Sequence, residues 1–149
     1  MTDPVESRFN ALIGALEPAA RKALAVAIAK GLRPRNAKRI AAQQNPDGSA
    51  FEPRKPQLRH RKKKLRQTMF AKLRTAAYLK AEGSPDGAVV RFAREVERIA
   101  QVHHYGLRDR VNRRRDLEVA YPQRELLGLP KDDVDFVESL VVEHLAARL

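Results

Sequence analysis

Cysteine and tryptophan are both absent from the 149 residues. Without cysteine the chain can hold no disulfide, no thiolate nucleophile and no thiolate metal site. Aromatic residues make up only 5%, too few for the interleaved stacking platforms of a single-strand nucleic-acid binder. Long apolar runs are missing too. The longest, around residues 23–29, is far short of the roughly 20 residues that cross a bilayer, so no membrane partner is expected. The N-terminus MTDPVESRF lacks a basic region followed by an apolar stretch and does not resemble a signal peptide. Synthesis in a cytoplasm-like compartment is the expectation. No Gly-rich phosphate loop, G-x-S-x-G or H-E-x-x-H motif occurs.

Acid is the scarcer charge: 30 Lys and Arg stand against 18 Asp and Glu, a net of +12. So large a net charge speaks to partners and solubility rather than to fold. Apolar residues at 43% and charged residues at 32% describe a folded chain with a generous solvated or partner-facing surface. Its length suits one domain, expected over residues 1–149.

Helix signals open and close the chain. Asp3 can cap a first helix, with Pro4 at its first position and Glu6 completing a capping box. Val5, Phe9, Leu12, Ile13 and Leu16 then recur at helical spacing. Pro18 should end or restart that helix. An Ala-rich second helix follows to Lys30 with Gly31 as its C-cap, and a short third runs over residues 34–44. Residues 45–56, NPDGSAFEPRKP, form a loop, and the densest charge run, RHRKKKLR at 59–66, follows; together they predict an extended basic loop at about 45–66. Met69, Phe70 and Leu73 return to helical spacing. Alternating runs at 74–81 and 88–92 flank a Gly/Pro turn and read as a hairpin, and 118–121 reads as a third short strand. Between them, residues 93–105 are helical and 107–115 are a basic connection. Asp132 and Asp133 open a terminal amphipathic helix with Val134, Val137, Leu140, Val141 and Leu145 as its apolar face. The predicted class is α+β: N-terminal helices and a C-terminal amphipathic helix on a small, mostly antiparallel sheet.

The histidines are the main candidates for catalysis or metal binding. His103 and His104 are adjacent, so on a helix they diverge by about 100° and cannot face one ion together. A packing or capping role outweighs a catalytic one, and neither a catalytic residue, a metal nor a cofactor is expected. Eight cations, Arg54, Lys55, Arg59, Arg61, Lys62, Lys63, Lys64 and Arg66, form the candidate partner-binding stretch. Its counterpart is either DNA phosphate or an acidic protein surface, for which Asp132, Asp133, Asp135 and Glu138 of a neighbouring copy are candidates.

Three stretches in this order resemble the phage virion morphogenesis family. They are RIAAQQNPDGS at 39–49, VHHYGL at 102–107 and YPQRELLGL at 121–129. Gln44, Asn45, Pro46, Asp47, Gly48, His103, His104, Gly106, Tyr121, Pro122, Arg124, Leu127 and Gly128 carry the resemblance, which extends from about Ala23 to the C-terminus. It implies a non-enzymatic late virion protein, made in the host cytoplasm, that completes the tail and joins it to the DNA-filled head. The implied partners are the tail tube or sheath end and the head–tail connector, and the implied assembly is a homo-oligomeric ring, six-fold to match the tail. Within that reading, the turn at 45–49 with Phe51 and Pro53 is either an arm reaching a neighbour or an ordinary surface turn. The alternative, from another class, is a small basic protein binding DNA non-specifically. A nuclease or toxin using His60, His103 or His104 is the weakest reading.

Overall fold

The computed structural model describes residues 3–54, 68–112 and 115–147. Helices α1 (Pro4–Gly14) and α2 (Pro18–Ala41) are followed by strands β1 (Leu79–Ser84) and β2 (Gly87–Phe92). Then come α3 (Arg94–Tyr105), β3 (Arg108–Asn112), β4 (Arg115–Ala120) and α4 (Lys131–Ala146). The strands form two separate two-stranded sheets, β1–β2 and β3–β4, so the class is α+β. The contacts divide the chain into two compact units. Unit 1 comprises Met1–Pro34, Ala81–Arg91 and Lys131–Leu149, and unit 2 comprises Arg35–Lys80 and Phe92–Pro130.

α1 begins as its signals require. Asp3 Oδ1 accepts from the Val5 amide at 2.9 Å, and Pro4 takes the first helical position. Pro18 restarts the chain as α2. That helix then departs from expectation, because it runs through both Gly31 and Pro34 where a cap and a new helix were expected. Burial explains this. Ala25, Ala29, Leu32, Asn36 and Ile40 are all buried, and their spacing of three and four residues makes one continuous inward stripe. Pro34 forfeits one backbone hydrogen bond, a defect of about 3 kcal/mol in an isolated helix, and that stripe offsets it. Gly31 is a close-approach site rather than a cap: a Cβ there would lie 2.5 Å from Phe136 Cε1 of α4.

The hairpin forms across Pro85 and Asp86, and Arg91 pairs with Glu82 at 2.5 Å across it. Its first strand starts five residues later than the alternation at 74–81 suggested. Residues 69–78 are turns instead of a helix, with Phe70 at φ 64°. Residues 107–115, expected to be a basic connection, contain β3. Arg110 lies opposite Glu118 and Asp109 opposite Val119, with a register shift between Arg110 and Asn112. β3 reads Arg-Asp-Arg-Val-Asn, with a single apolar residue, so the usual alternating apolar signal was absent. On α4, Asp133 is buried in the first turn and Val141 farther along, while Val134 and Val142 are exposed.

Candidate functional site: the junction of three motif segments

Unit 2 brings the three stretches that carried the sequence resemblance onto one another. α2 ends in a Schellman arrangement: the Gln44 amide reaches Arg39 O at 3.2 Å and the Gln43 amide reaches Ile40 O at 2.9 Å. Gln43 occupies the left-handed position, φ 57°, that glycine usually takes. Its side chain stabilises that geometry. Nε2 donates to Ile40 O at 2.7 Å and to Met69 O at 2.9 Å, while Oε1 accepts from the Met69 amide at 3.0 Å. Its own carbonyl accepts from the Phe51 amide at 2.7 Å.

The turn after it follows its residues. The Gly48 amide donates to Asn45 O at 3.0 Å, with Pro46 second in the turn and Gly48 at φ 88°. Asp47 Oδ1 accepts from the Ser49 amide at 2.8 Å and from Ser49 Oγ at 2.5 Å, and these bonds hold its carboxyl below the usual value. Gln44 bridges to Ala50 at the base of the loop. Asn45 faces both ways: Nδ2 donates to Ser49 Oγ at 3.1 Å, and Oδ1 accepts from the Glu125 amide at 2.9 Å. Gly128 closes the same contact. Its amide donates to the buried Asn36 Oδ1 at 3.2 Å, its carbonyl accepts from Arg39 Nη2 at 3.4 Å, and Pro46 fills the place a Cβ would need.

α3 supplies the second motif. Gly106 caps it at φ 65°, and a Cβ on Gly106 would lie 2.9 Å from Gln123 N. His104 Nδ1 accepts from the Leu126 amide at 3.1 Å, so the neutral ring carries its proton on Nε2. Burial pushes its pKa down, opposed by the nearby Glu125 carboxylate. The His103 ring meets Phe70 and Tyr121 edge-on, each at 4.9 Å between centroids, and Phe70 in turn meets Phe51 at 5.8 Å. Its Nδ1 is buried without a hydrogen-bond partner. Burial first, then the Arg124 guanidinium, lowers the His103 pKa, with Asp109 opposing.

Arg124 is 6% exposed. It donates from Nε to Glu52 O at 2.8 Å and from Nη2 to Pro53 O at 3.2 Å, while its amide reaches His103 O at 2.8 Å. Burial lowers its pKa from the ordinary guanidinium value. A cavity of about 450 Å³ lies beside it, lined among others by Arg54, Met69, Phe70, His103, Tyr121 and Pro122.

These motif residues therefore form a polar and steric framework inside one unit. The turn at 45–49 is bound to the chain's own 121–129 segment and Phe51 is buried, so this stretch is no arm. Leu126 is fully buried, Leu127 half-buried and Leu129 exposed, so the 121–129 segment faces the core only in part. Of the basic candidates, Arg54 is exposed at the cavity. Lys55, Arg59, Arg61, Lys62, Lys63, Lys64 and Arg66 lie outside the described residues. Asp133 is buried and cannot serve the acidic surface suggested for it, whereas Asp132, Asp135 and Glu138 are exposed. Sequence reasoning missed Gln43 and Asn36. Neither carries a signal, since glutamine does not announce a left-handed cap and a buried asparagine looks like any other polar helix residue. Among the described residues no cluster of three or more His, Asp or Glu could hold a metal ion.

Comparison with known proteins agrees with the motifs and extends them to the N-terminal helix. The model of the phage virion morphogenesis family matches residues 1–146. Tail completion protein S of Escherichia phage P2 is 37% identical over 142 residues, covering 94% of each chain. No solved structure matches. With motifs, order and length all matched, the chain belongs to the phage virion morphogenesis family.

Proposed function

We propose that this protein is a structural component of a phage virion that completes the tail and, as a terminator or neck ring, joins it to the DNA-filled head. The observation that carries this reading is the identity of 37% over 94% of both chains with a protein named for tail completion. The motif geometry supports it. The residues that make the resemblance maintain an internal framework within one unit. The protein acts without turnover or cofactor, as a homo-oligomeric ring, six-fold like the tail, between the tail tube or sheath end and the head–tail connector. Among the described residues no helix is long and apolar enough to cross a membrane.

The test is a phage whose copy of this gene is interrupted. Lysates should contain filled heads and separate tails, and purified protein added to them should restore joined particles. Antibody should label the head-proximal end of the tail. Joined virions without the protein would overturn the reading. The net charge of +12 favours one second reading, non-specific DNA binding. In that case a monomer shifts duplex DNA in a salt-dependent manner and adds nothing to unjoined tails.

A further inference from the structure

The charge of the chain is divided unequally between its two units. Unit 1 holds ten Asp and Glu against eight Lys and Arg, a net of −2; unit 2 holds eight against twenty-two, a net of +14. Restricted to the described residues the contrast persists, −3 against +5.

Unit 1 also presents uncovered helix faces. α1 buries none of its eleven residues, and Val5 and Leu12 are 58% and 53% exposed. On α4, Val134, Asp135, Glu138 and Val142 are all exposed. At about 100° per residue they fall within one arc of roughly 100°. That face mixes two carboxylates with two valines, an anchor pattern suited to a complementary basic protein surface.

We propose that these faces of unit 1 dock on unit 2 of a second copy of the chain, so that copies associate head to tail. The inference rests on the self-assembling tail-completion reading above and adds which surfaces meet. Charge decides the occupant. Two basic units facing each other repel, and two acidic units facing each other leave the surplus of the basic ones uncompensated. Only the unlike pairing is attractive at every copy. A heterologous contact of this kind closes into a ring or grows as a filament, whereas a like-with-like contact stops at a pair.

The experiment uses the full chain, half of it labelled with ¹⁵N, at 50 mM salt. A zero-length carbodiimide reagent joins carboxylates to lysines, and peptides of mixed isotope mark links between copies. The expected links join Glu6, Asp135 or Glu138 of one copy to Lys38 or Lys72 of another. Lys22, Lys30 and Lys131 offer the alternative links within unit 1. The variant Leu12→Ser/Glu138→Gln/Val142→Ser should keep its helix content and melting temperature yet associate at least tenfold more weakly. Raising salt to 500 mM should weaken the parent as well. Intermolecular links confined to unit 1, a parent that stays monomeric at low salt, or unchanged association of the variant would each overturn the proposal. If like-with-like links are found while interruption of the gene still leaves heads and tails unjoined, the docking inference fails and the tail-completion reading stands. If virions join normally without the gene, that reading fails whatever the links show.

Discussion

Replacing Gly128 with Ala adds a single methyl group where there is no room for one. A Cβ at that position would lie 2.7 Å from Pro46 Cβ, with the ring Cγ nearer still. Pro46 cannot swing away, because its φ is fixed by the ring. Its turn is also closed by the Asn45 amide on Ser49 O at 2.8 Å and the Gly48 amide on Asn45 O at 3.0 Å. Retreat of Gly128 would stretch its bond to Asn36 Oδ1 at 3.2 Å and pull on the Glu125 amide at Asn45 Oδ1. The backbone of Gly128 is not left-handed, so alanine meets no dihedral penalty there and stiffens the unfolded chain by about 0.4–1 kcal/mol. Overpacking costs about 1–3 kcal/mol. The expected result is a loss of about 1–2 kcal/mol, a fall in melting temperature of roughly 2–8 °C for a chain of this size. Urea unfolding followed by circular dichroism measures it. The second arm is Pro46→Gly, which removes both the Cβ and the ring; with it in place, Gly128→Ala should become nearly neutral. The coupling in that double-mutant cycle should be about 1 kcal/mol. Full parental stability of Gly128→Ala, or additivity of the two changes within about 0.5 kcal/mol, would refute the steric argument.

Three further outcomes are expected. Both His103 and His104 have folded pKa values below the ordinary 6.5, so the unfolded chain takes up protons first as pH falls. Their contribution to stability is complete above about pH 6.5 and drains away below it as the pH approaches the folded values. Melting temperatures at pH 7.5 and 5.5 should differ in that direction, and by less in His104→Asn, whose amide oxygen can still accept from Leu126. Arg124→Met leaves the carbonyls of Glu52 and Pro53 without their donor and should cost about 1–3 kcal/mol in denaturant unfolding, while Arg124→Lys, lacking the fork, recovers only part of it. Changing Arg61, Lys62, Lys63 and Lys64 together to Gln should leave folding intact, yet tails should assemble without joining heads. Normal yields of joined phage at low and high salt alike would count against that last expectation.

Much of the architecture was legible because local signals and tertiary demands agreed. Asp3, Pro4 and Glu6 announce α1, the alternation around Pro85 and Asp86 announces a hairpin, and Gly106 announces the end of α3. Where they disagreed, packing prevailed. Gly31 and Pro34 read as punctuation, but a stripe of burial from Ala25 to Ile40 carries the helix through both. β3 was hidden because its own residues, Arg108, Asp109 and Arg110 first among them, carry charge and offer no apolar period to detect. At the junction, the sequence order of the motifs was visible but their convergence was not. The contacts of Asn45 with Glu125 and of Gly128 with Asn36 span 80 and 92 residues, separations at which a pattern in one segment says nothing about the other.

Gln43 has a consequence for what evolution can do with this chain. Its carbonyl receives the Phe51 amide and its side chain grips Met69 from both sides, so the two flanks of the basic segment are clipped to one residue. The framework therefore does not need that segment to close upon itself. Loop-closure entropy grows only logarithmically, about 0.6 kcal/mol for each doubling of length. The segment is free to lengthen, shorten or change its charge while the scaffold beneath keeps its register.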